Sequence, residues 1–378
     1  MSTASLRPFA HLPSAADAIR QFTPNWFAAN MGTGVVALVL GHFDGVPLLY
    51  QTGEVLWALN ALGFCIFASL FALRWLLHYE GARQIMAHPV MSMSLGCIPM
   101  ALATIANGFV VFGPIHLGSM AYGIAHYLWW LEAGLAVSVG LLVPMFMFTR
   151  QVHSPAQMTG VWLLPVVAAE VTAISGALLL PHLPHLPQAE QAGVLLSCLV
   201  LWSCSVPLAL GMVAVLFIRM ILHKLPDVGT AASCWLALGP IATGALGMML
   251  FSQGAATALA GTPLAASGEV IGAVFLVMGV LLWGYGLWWV GLAALITTRY
   301  FMAHVPFNLG WWAYVFPTGV FTLATLELGA MWDSMALGLL GGAMALAVGV
   351  VWLLVSLRTM LGFWRGSLFH APCLVPAE

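Results

Sequence analysis

Residues 310–331 read GWWAYVFPTGVFTLATLELGAM, an apolar stretch with one proline, Pro317, set inside it and small polar residues following. As a helix it is long enough to cross ~30 Å of hydrocarbon. A proline supplies no backbone donor and clashes with the preceding turn, so Pro317 should start or kink that helix. Elsewhere in the chain, Pro24, Pro99, Pro165 and Pro240 sit in, or at the mouth of, comparable stretches. The five prolines are spaced by 75, 66, 75 and 77 residues. A near-constant period of this size points to one unit used five times.

Of the 378 residues, 62% are hydrophobic and 6% charged, against roughly 25% charged in soluble domains. No soluble core hides that much apolar surface, so the solvent of this chain is the lipid bilayer. A formal net charge of −2 with no basic run argues against a nucleic-acid partner. The first 22 residues hold neither an apolar h-region nor a small-residue cleavage site, so no signal peptide is expected. Cys65, Cys97, Cys198, Cys204, Cys234 and Cys373 lack C-x-x-C spacing and read as small hydrophobes. His182 and His185, in the Pro/His-rich segment 181–187, lack a third ligand nearby, so no metal is expected. Neither an H-E-x-x-H motif nor His pairs set to grip a haem occur; no cofactor is expected and the chain does not read as an enzyme.

The apolar runs divide into ten spans, roughly 23–40, 54–77, 90–112, 119–148, 160–180, 190–218, 233–258, 268–297, 310–331 and 335–358. Arg7 and Arg20 precede the first span, and Arg74 and Arg83 lie between the second and third. Arg150 follows the fourth, Arg219 and Lys224 the sixth, Arg299 the eighth, and Arg358 and Arg365 the tenth. All ten basic residues thus fall on one side of the membrane. The positive-inside rule makes that side cytoplasmic and places both termini there. The expected organisation is a short cytoplasmic N-terminus (1–22), a ten-helix transmembrane transport domain (23–358) and a short cytoplasmic C-terminus (359–378). Trp26, Trp162, Trp235, Trp311 and Trp312 lie near the cytoplasmic starts of odd spans, where indoles act as interfacial anchors.

The odd spans carry the small polar residues and the even ones are plainer, which suggests an inner ring of five odd helices inside an outer ring of five. Such residues also serve close helix packing; repeated over five spans, they mark a lined path. The expected lining is Gly32, Thr33, Thr104, Asn107, Glu170, Thr172, Thr243 and Thr322. The five prolines, as helix-kink positions, would turn free N–H groups, the positive ends of half-helices, toward the axis, where they attract anions without a full charge. No lysine or arginine lies mid-membrane, as suits conduction with weak binding. The intramembrane ionisable residues are His126, Glu132, Glu170 and Glu327. Of these, Glu170 lies on an inner span and is the candidate for a proton relay or for repelling competing anions; a hydrogen-bonded packing role is its alternative.

Two segments, Phe22–Gly34 (FTPNWFAANMGTG) and Phe307–Thr325 (FNLGWWAYVFPTGVFTLAT), closely resemble the signature ends of the tellurite-resistance/dicarboxylate transporter family. That family includes tellurite-resistance membrane proteins, malate permeases, sulfite exporters and slow-type anion channels. The resemblance covers about Phe22 to Arg365. It implies five tandem helical hairpins around a central pore, a homotrimer with one pore per subunit, and a phenylalanine plug on the ninth helix. The match places that plug at Phe316, with Phe321 in reserve.

The expected fold is therefore an all-α integral membrane protein of the bacterial inner membrane. Its expected function is transport of small anions, either C4-dicarboxylates such as malate or sulfite and other inorganic anions, through a Phe-gated pore. Tellurite resistance and a proton-coupled mono- or dicarboxylate carrier are the alternatives. Cation transport would call for acidic rings, whereas the odd spans offer only Glu170 and the peripheral Glu327.

Overall fold

Five times along the chain a short 3-10 segment runs straight into an α-helix, and each time one of the five prolines stands at the start. The computed structural model describes residues 8–14, 16–184, 186–302 and 304–374. Arg7 and His185 lie outside the described residues. The 3-10 segments are Pro24–Trp26, Met93–Gly96, Gly160–Leu163, Val228–Ala237 and Leu309–Tyr314. They lead into α1 (Phe27–Gly41), α3 (Cys97–Val111), α5 (Leu164–Leu179), α7 (Leu238–Leu259) and α9 (Phe316–Met331). Between them run α2 (Pro47–Leu77), α4 (Met120–Thr149), α6 (Gln188–His223), α8 (Gly268–Phe301) and α10 (Met335–Arg365). Among the described residues there is no strand.

Pro24 opens its 3-10 segment, while Pro99, Pro165, Pro240 and Pro317 fall at the second or third residue of an α-helix. These are first-turn positions, where the missing N–H has no intrahelical partner to lose. Pro144 and Pro207 are the prolines inside long outer helices.

Among the described residues, nine helical stretches are long and apolar enough to cross a membrane. The segment expected as the first span, Pro24–Gly41, falls outside that set; with its 3-10 lead-in it is close in length to Met93–Val111, but Asn25 and Asn30 make it less apolar. Burial separates two classes. The most apolar part of α3, α5 and α7 with their lead-in segments is 83% buried, and that of α9 is 72% buried; for α2, α4, α6, α8 and α10 the share runs from 6% to 33%.

Each odd helix packs on the even helix that follows it, and the odd helices pack in the order α1, α3, α5, α7, α9 and back to α1, closing a ring. The even helices present leucine and valine outward: Leu76 is 78% exposed and Leu281 69%, as a lipid-facing surface requires.

The indoles do not all lie at the membrane interface. Trp26 and Trp312 are buried inside the protein. Trp26 belongs to an aromatic cluster with Phe22, Phe67, Phe363 and Phe369, and Trp312 Nε1 donates to Thr359 Oγ1 at 3.1 Å. Arg74 is also fully buried. Its guanidinium donates to the carbonyl oxygens of Phe22 and Gly81 and to Cys373 Sγ, tying both ends of the chain to α2.

After α10 the chain reverses. Gly366 adopts φ +76°, and Ser367 N–H and Gly366 N–H bond back to the carbonyls of Gly362 and Phe363. This pairing is a helix-ending motif that favours glycine at the left-handed position. The segment that follows, Gly366–Leu374, crosses beneath the starts of the odd helices as a strap. Phe369 anchors it against Trp26, with ring centroids 5.0 Å apart.

Candidate functional site

The starts of the five odd helices surround a cavity of about 500 Å³. Each contributes side chains: Asn25, Ala28 and Met31 from the first; Ser94, Cys97 and Met100 from the second; Leu163, Leu164 and Val167 from the third; Ser233, Leu236 and Gly239 from the fourth; Trp312, Ala313, Phe316 and Pro317 from the fifth. The strap adds Ser367, Leu368, His370 and Pro372. Among the described residues, not one aspartate, glutamate, lysine or arginine lines the space. Its polarity comes from amides, hydroxyls and one imidazole, and from the five helix N-termini, whose partial positive charges favour anions.

Phe316, the first residue of α9, is 5% exposed and faces this cavity. Phe321 lies elsewhere: it is fully buried and stacks on Trp283 of α8, with ring centroids 6.2 Å apart. A Cβ on Gly286 would collide with its ring, so that glycine makes room for it.

This cavity is set within a recognisable sequence. The voltage-dependent anion channel family matches residues 21–360. The chain belongs to that family. A sulfite efflux pump SSU1 of Arthroderma otae is 34% identical over 93% of each chain. An uncharacterised transporter of Methanocaldococcus jannaschii is 27% identical over 93% of this chain and 97% of its own. The malic acid transport protein of Schizosaccharomyces pombe is 25% identical over 95% of this chain and 82% of its own. The family membership bears out the resemblance carried by the two signature segments, and the chain is a multi-pass membrane protein of a family of anion channels and transporters.

Within this voltage-dependent anion channel fold, the polar residues of the odd helices gather into pairs and networks between helices. Asn30 Nδ2 donates to Asn60 Oδ1 at 3.0 Å, and Asn60 Nδ2 donates to Thr104 Oγ1 at 3.1 Å, joining α1, α2 and α3. Trp352 Nε1 of α10 donates to Thr33 Oγ1 at 3.2 Å. Gly32 sits against the Trp312 indole, which leaves no space for a side chain. Thr172 Oγ1 donates to the Ala168 carbonyl at 2.9 Å within its own helix. Thr322 lines a separate, mostly apolar cavity of about 430 Å³ between α8, α9 and α10. The side chain of Asn107 is buried, with Oδ1 unpaired.

Glu170 and Thr243 meet across α5 and α7, with Thr243 Oγ1 2.7 Å from Glu170 Oε1; Glu170 is fully buried and its Oε2 has no partner. Among the other ionisable residues, Glu132 Oε1 accepts from Ser175 Oγ at 3.4 Å, and His126 Nε2 accepts from Trp130 Nε1 at 3.1 Å. Glu327 accepts from Gln253, and the ring of His182 stacks on Tyr122 at 4.5 Å.

Three features escaped the sequence. Asn60, an amide in the apolar middle of an outer helix, carried a signal of its own, since polar residues at membrane depth are costly. Ser94 and Ser233 sit in lead-in segments with no shared spacing from their prolines. Nothing in the order of residues indicated that the strap would return to the cavity.

Proposed function

We propose that the protein carries small anions across the bacterial inner membrane through a pore along the axis of the five-helix ring, with Phe316 as its gate. The carrying observation is the cavity at one end of that ring. Five helix N-termini meet there around hydroxyls and amides with no fixed charge on the walls, a setting that attracts anions and lets them leave. In this reading Pro24–Gly41 is the tenth span, the helices form five tandem hairpins, and the basic residues put the cavity and both termini in the cytoplasm. Asn107, which makes no hydrogen bond among the described residues, is the lining residue beyond the gate. Thr33 and Thr104 brace the ring against its outer helices. A homotrimer with one pore per subunit and the absence of any enzymatic activity are part of the same reading.

Sulfite comes first among the substrates, because three sulfite efflux pumps, each 34% identical, are more similar to this chain than the malic acid transport protein at 25%; malate and other C4-dicarboxylates come second. A membrane potential of 100 mV, negative inside, adds ~2.3 kcal/mol per charge in favour of anion exit, so a neutral pore serves efflux. Flux of sulfite, malate, succinate, nitrate and chloride from proteoliposomes, with and without a pH gradient, tests the proposal. Absence of flux for every anion rejects it.

A proton-coupled carrier is the second reading, and the Glu170–Thr243 pair favours it. Thr243 Oγ1 lies 2.7 Å from Glu170 Oε1 and 2.8 Å from the Gly239 carbonyl oxygen, with one proton to give. Both contacts are satisfied together when the carboxyl brings a proton of its own. Under this reading Glu170→Gln, which keeps the shape and one donor, flattens the pH dependence of malate flux. An unchanged profile in that variant removes Glu170 from any relay.

A further inference from the structure

We propose that the C-terminal strap Gly366–Leu374 completes an anion-binding vestibule, and that His370 is its proton-dependent contact for a small anion. The inference rests on reading the cavity as the anion entrance and adds to it a built site with a titratable wall.

Three side chains facing the cavity, Ser94, Ser233 and His370, make no hydrogen bond among the described residues, and a fourth, Asn25, uses only its carbonyl oxygen. Ser94 is 4% exposed and Ser233 7%, so more than nine-tenths of each is buried. No donor or acceptor meets either hydroxyl, while both line the cavity. Asn25 takes a bond from Thr23 on its Oδ1 and leaves its Nδ2 donor unused. His370 lines the same cavity and its imidazole is unpaired. Buried polar groups such as the two serines are normally satisfied, whereas Asn25 is half-buried and His370 exposed. Three idle hydroxyl or amide donors and an imidazole around one space, with five helix N-termini behind them, are the chemistry of an oxyanion or hydrated halide.

The strap is held in place by contacts of its own. Phe369 packs against Trp26, Phe9 and Phe363, and Cys373 accepts from Arg74 at 3.3 Å. The backbone at His370 is thereby held between two buried anchors, Phe369 and Cys373, while its side chain is exposed. On the cavity walls the other titratable side chain is the Cys97 thiol. The elements packed on the strap carry Arg74; Glu80 and Arg83, which pair with each other at 2.8 Å; Arg365 at the end of α10; and His11, whose N–H bonds to the Arg365 carbonyl. His88 precedes the cavity residues Val90 and Met91 and takes both their N–H groups on its Nδ1. Burial lowers its proton affinity. Among the described residues, the fixed charges beside the strap are thus three guanidiniums and one carboxylate.

An imidazole gains its charge between about pH 5 and 8. When protonated, His370 places a full positive charge on a cavity that otherwise holds only dipoles. Anion capture is then strong at low pH on the strap side and falls as that pH rises.

Planar-bilayer currents of the whole protein test this, with nitrate as the probe because it does not titrate in the range and pH varied on one side at a time. At limiting nitrate, wild-type current is expected to fall about tenfold as the strap-side pH rises, the low end of electrostatic focusing in clefts. His370→Arg stays high at every pH, and His370→Ala stays low. Ser94→Ala combined with Ser233→Ala weakens nitrate binding but keeps the pH profile. A wild-type profile in His370→Ala, or a pH-dependent His370→Arg, overturns the inference and leaves the pore standing. Absence of current in both wild type and Phe316→Ala overturns the pore and the vestibule together.

Discussion

Phe316→Ala is expected to raise anion flux about tenfold or more over the wild type. Phe316 begins α9 and faces the vestibule beside Pro317. The proline ring fixes its own φ and so limits how far the neighbouring phenylalanine can move on its backbone. Met31, Met100, Val167 and Leu236 face the same space from the other odd helices. An aromatic ring within an apolar collar obstructs both by its volume and by keeping water out. Truncation to alanine removes the ring; a tenfold rise corresponds to ~1.4 kcal/mol off the barrier. Phe316→Tyr, which keeps the volume, should stay near wild type.

Phe321→Ala supplies the contrast. Its ring is packed between α9 and α8 against Trp283 and Gly286, so truncation should cost stability, ~3–5 kcal/mol for a buried phenylalanine, without raising flux. Currents from the two variants, alongside their thermal melts, decide between the positions. A folded Phe316→Ala protein with no more current than wild type removes the gate.

The second large effect is structural. Gly96→Ala and Gly160→Ala are each expected to remove most of the folded protein, a loss above ~3 kcal/mol and beyond ordinary overpacking. A Cβ on Gly96 would stand 2.6 Å from the Leu164 carbonyl carbon and 3.0 Å from Pro165 N, and one on Gly160 would run into the Ser233 carbonyl. These neighbours are backbone, and a carbonyl cannot rotate aside as a side chain can. At both points the lead-in of one odd helix leans on the start of another, so the intruding methyl group pushes the ring apart at the vestibule. Gly247→Ala meets only side-chain atoms, at 3.3 Å and beyond, and should be tolerated. The yield of monodisperse protein after purification and its melting temperature check all three. A normal Gly96→Ala protein would mean that the ring is loosely held there.

The division into inner and outer helices could be read in advance because proline and small polar residues concentrate in alternate apolar runs. What each polar side chain faces could not. Successive residues on a helix point about 100° apart, so Gly32 meets Trp312 while Thr33 meets Trp352. Composition marks a helix as inner without giving its rotation. At the start of the chain Asn25 and Asn30 interrupt the apolar run, although its 3-10 lead-in and 15-residue α-helix match those of α3. Trp26 and Trp312 misled because an indole at the start of a span suits the lipid interface and an internal aromatic cluster equally well. Spacing distinguishes none of the 20 phenylalanines, so the choice of Phe316 as gate rests on the family resemblance.

Arg74 sets a condition on how the entrance can work. Its guanidinium is held by Phe22 at one end of the chain and Cys373 at the other, with Gly81 between them. Swinging the strap aside would leave a buried cation short of a partner, and a hydrogen bond to a charged group contributes ~1.5–3 kcal/mol. The C-terminal segment is therefore part of the doorframe and not a door. In the proposed pore, ions would pass a fixed sill, and the gate would be a single side chain inside the ring.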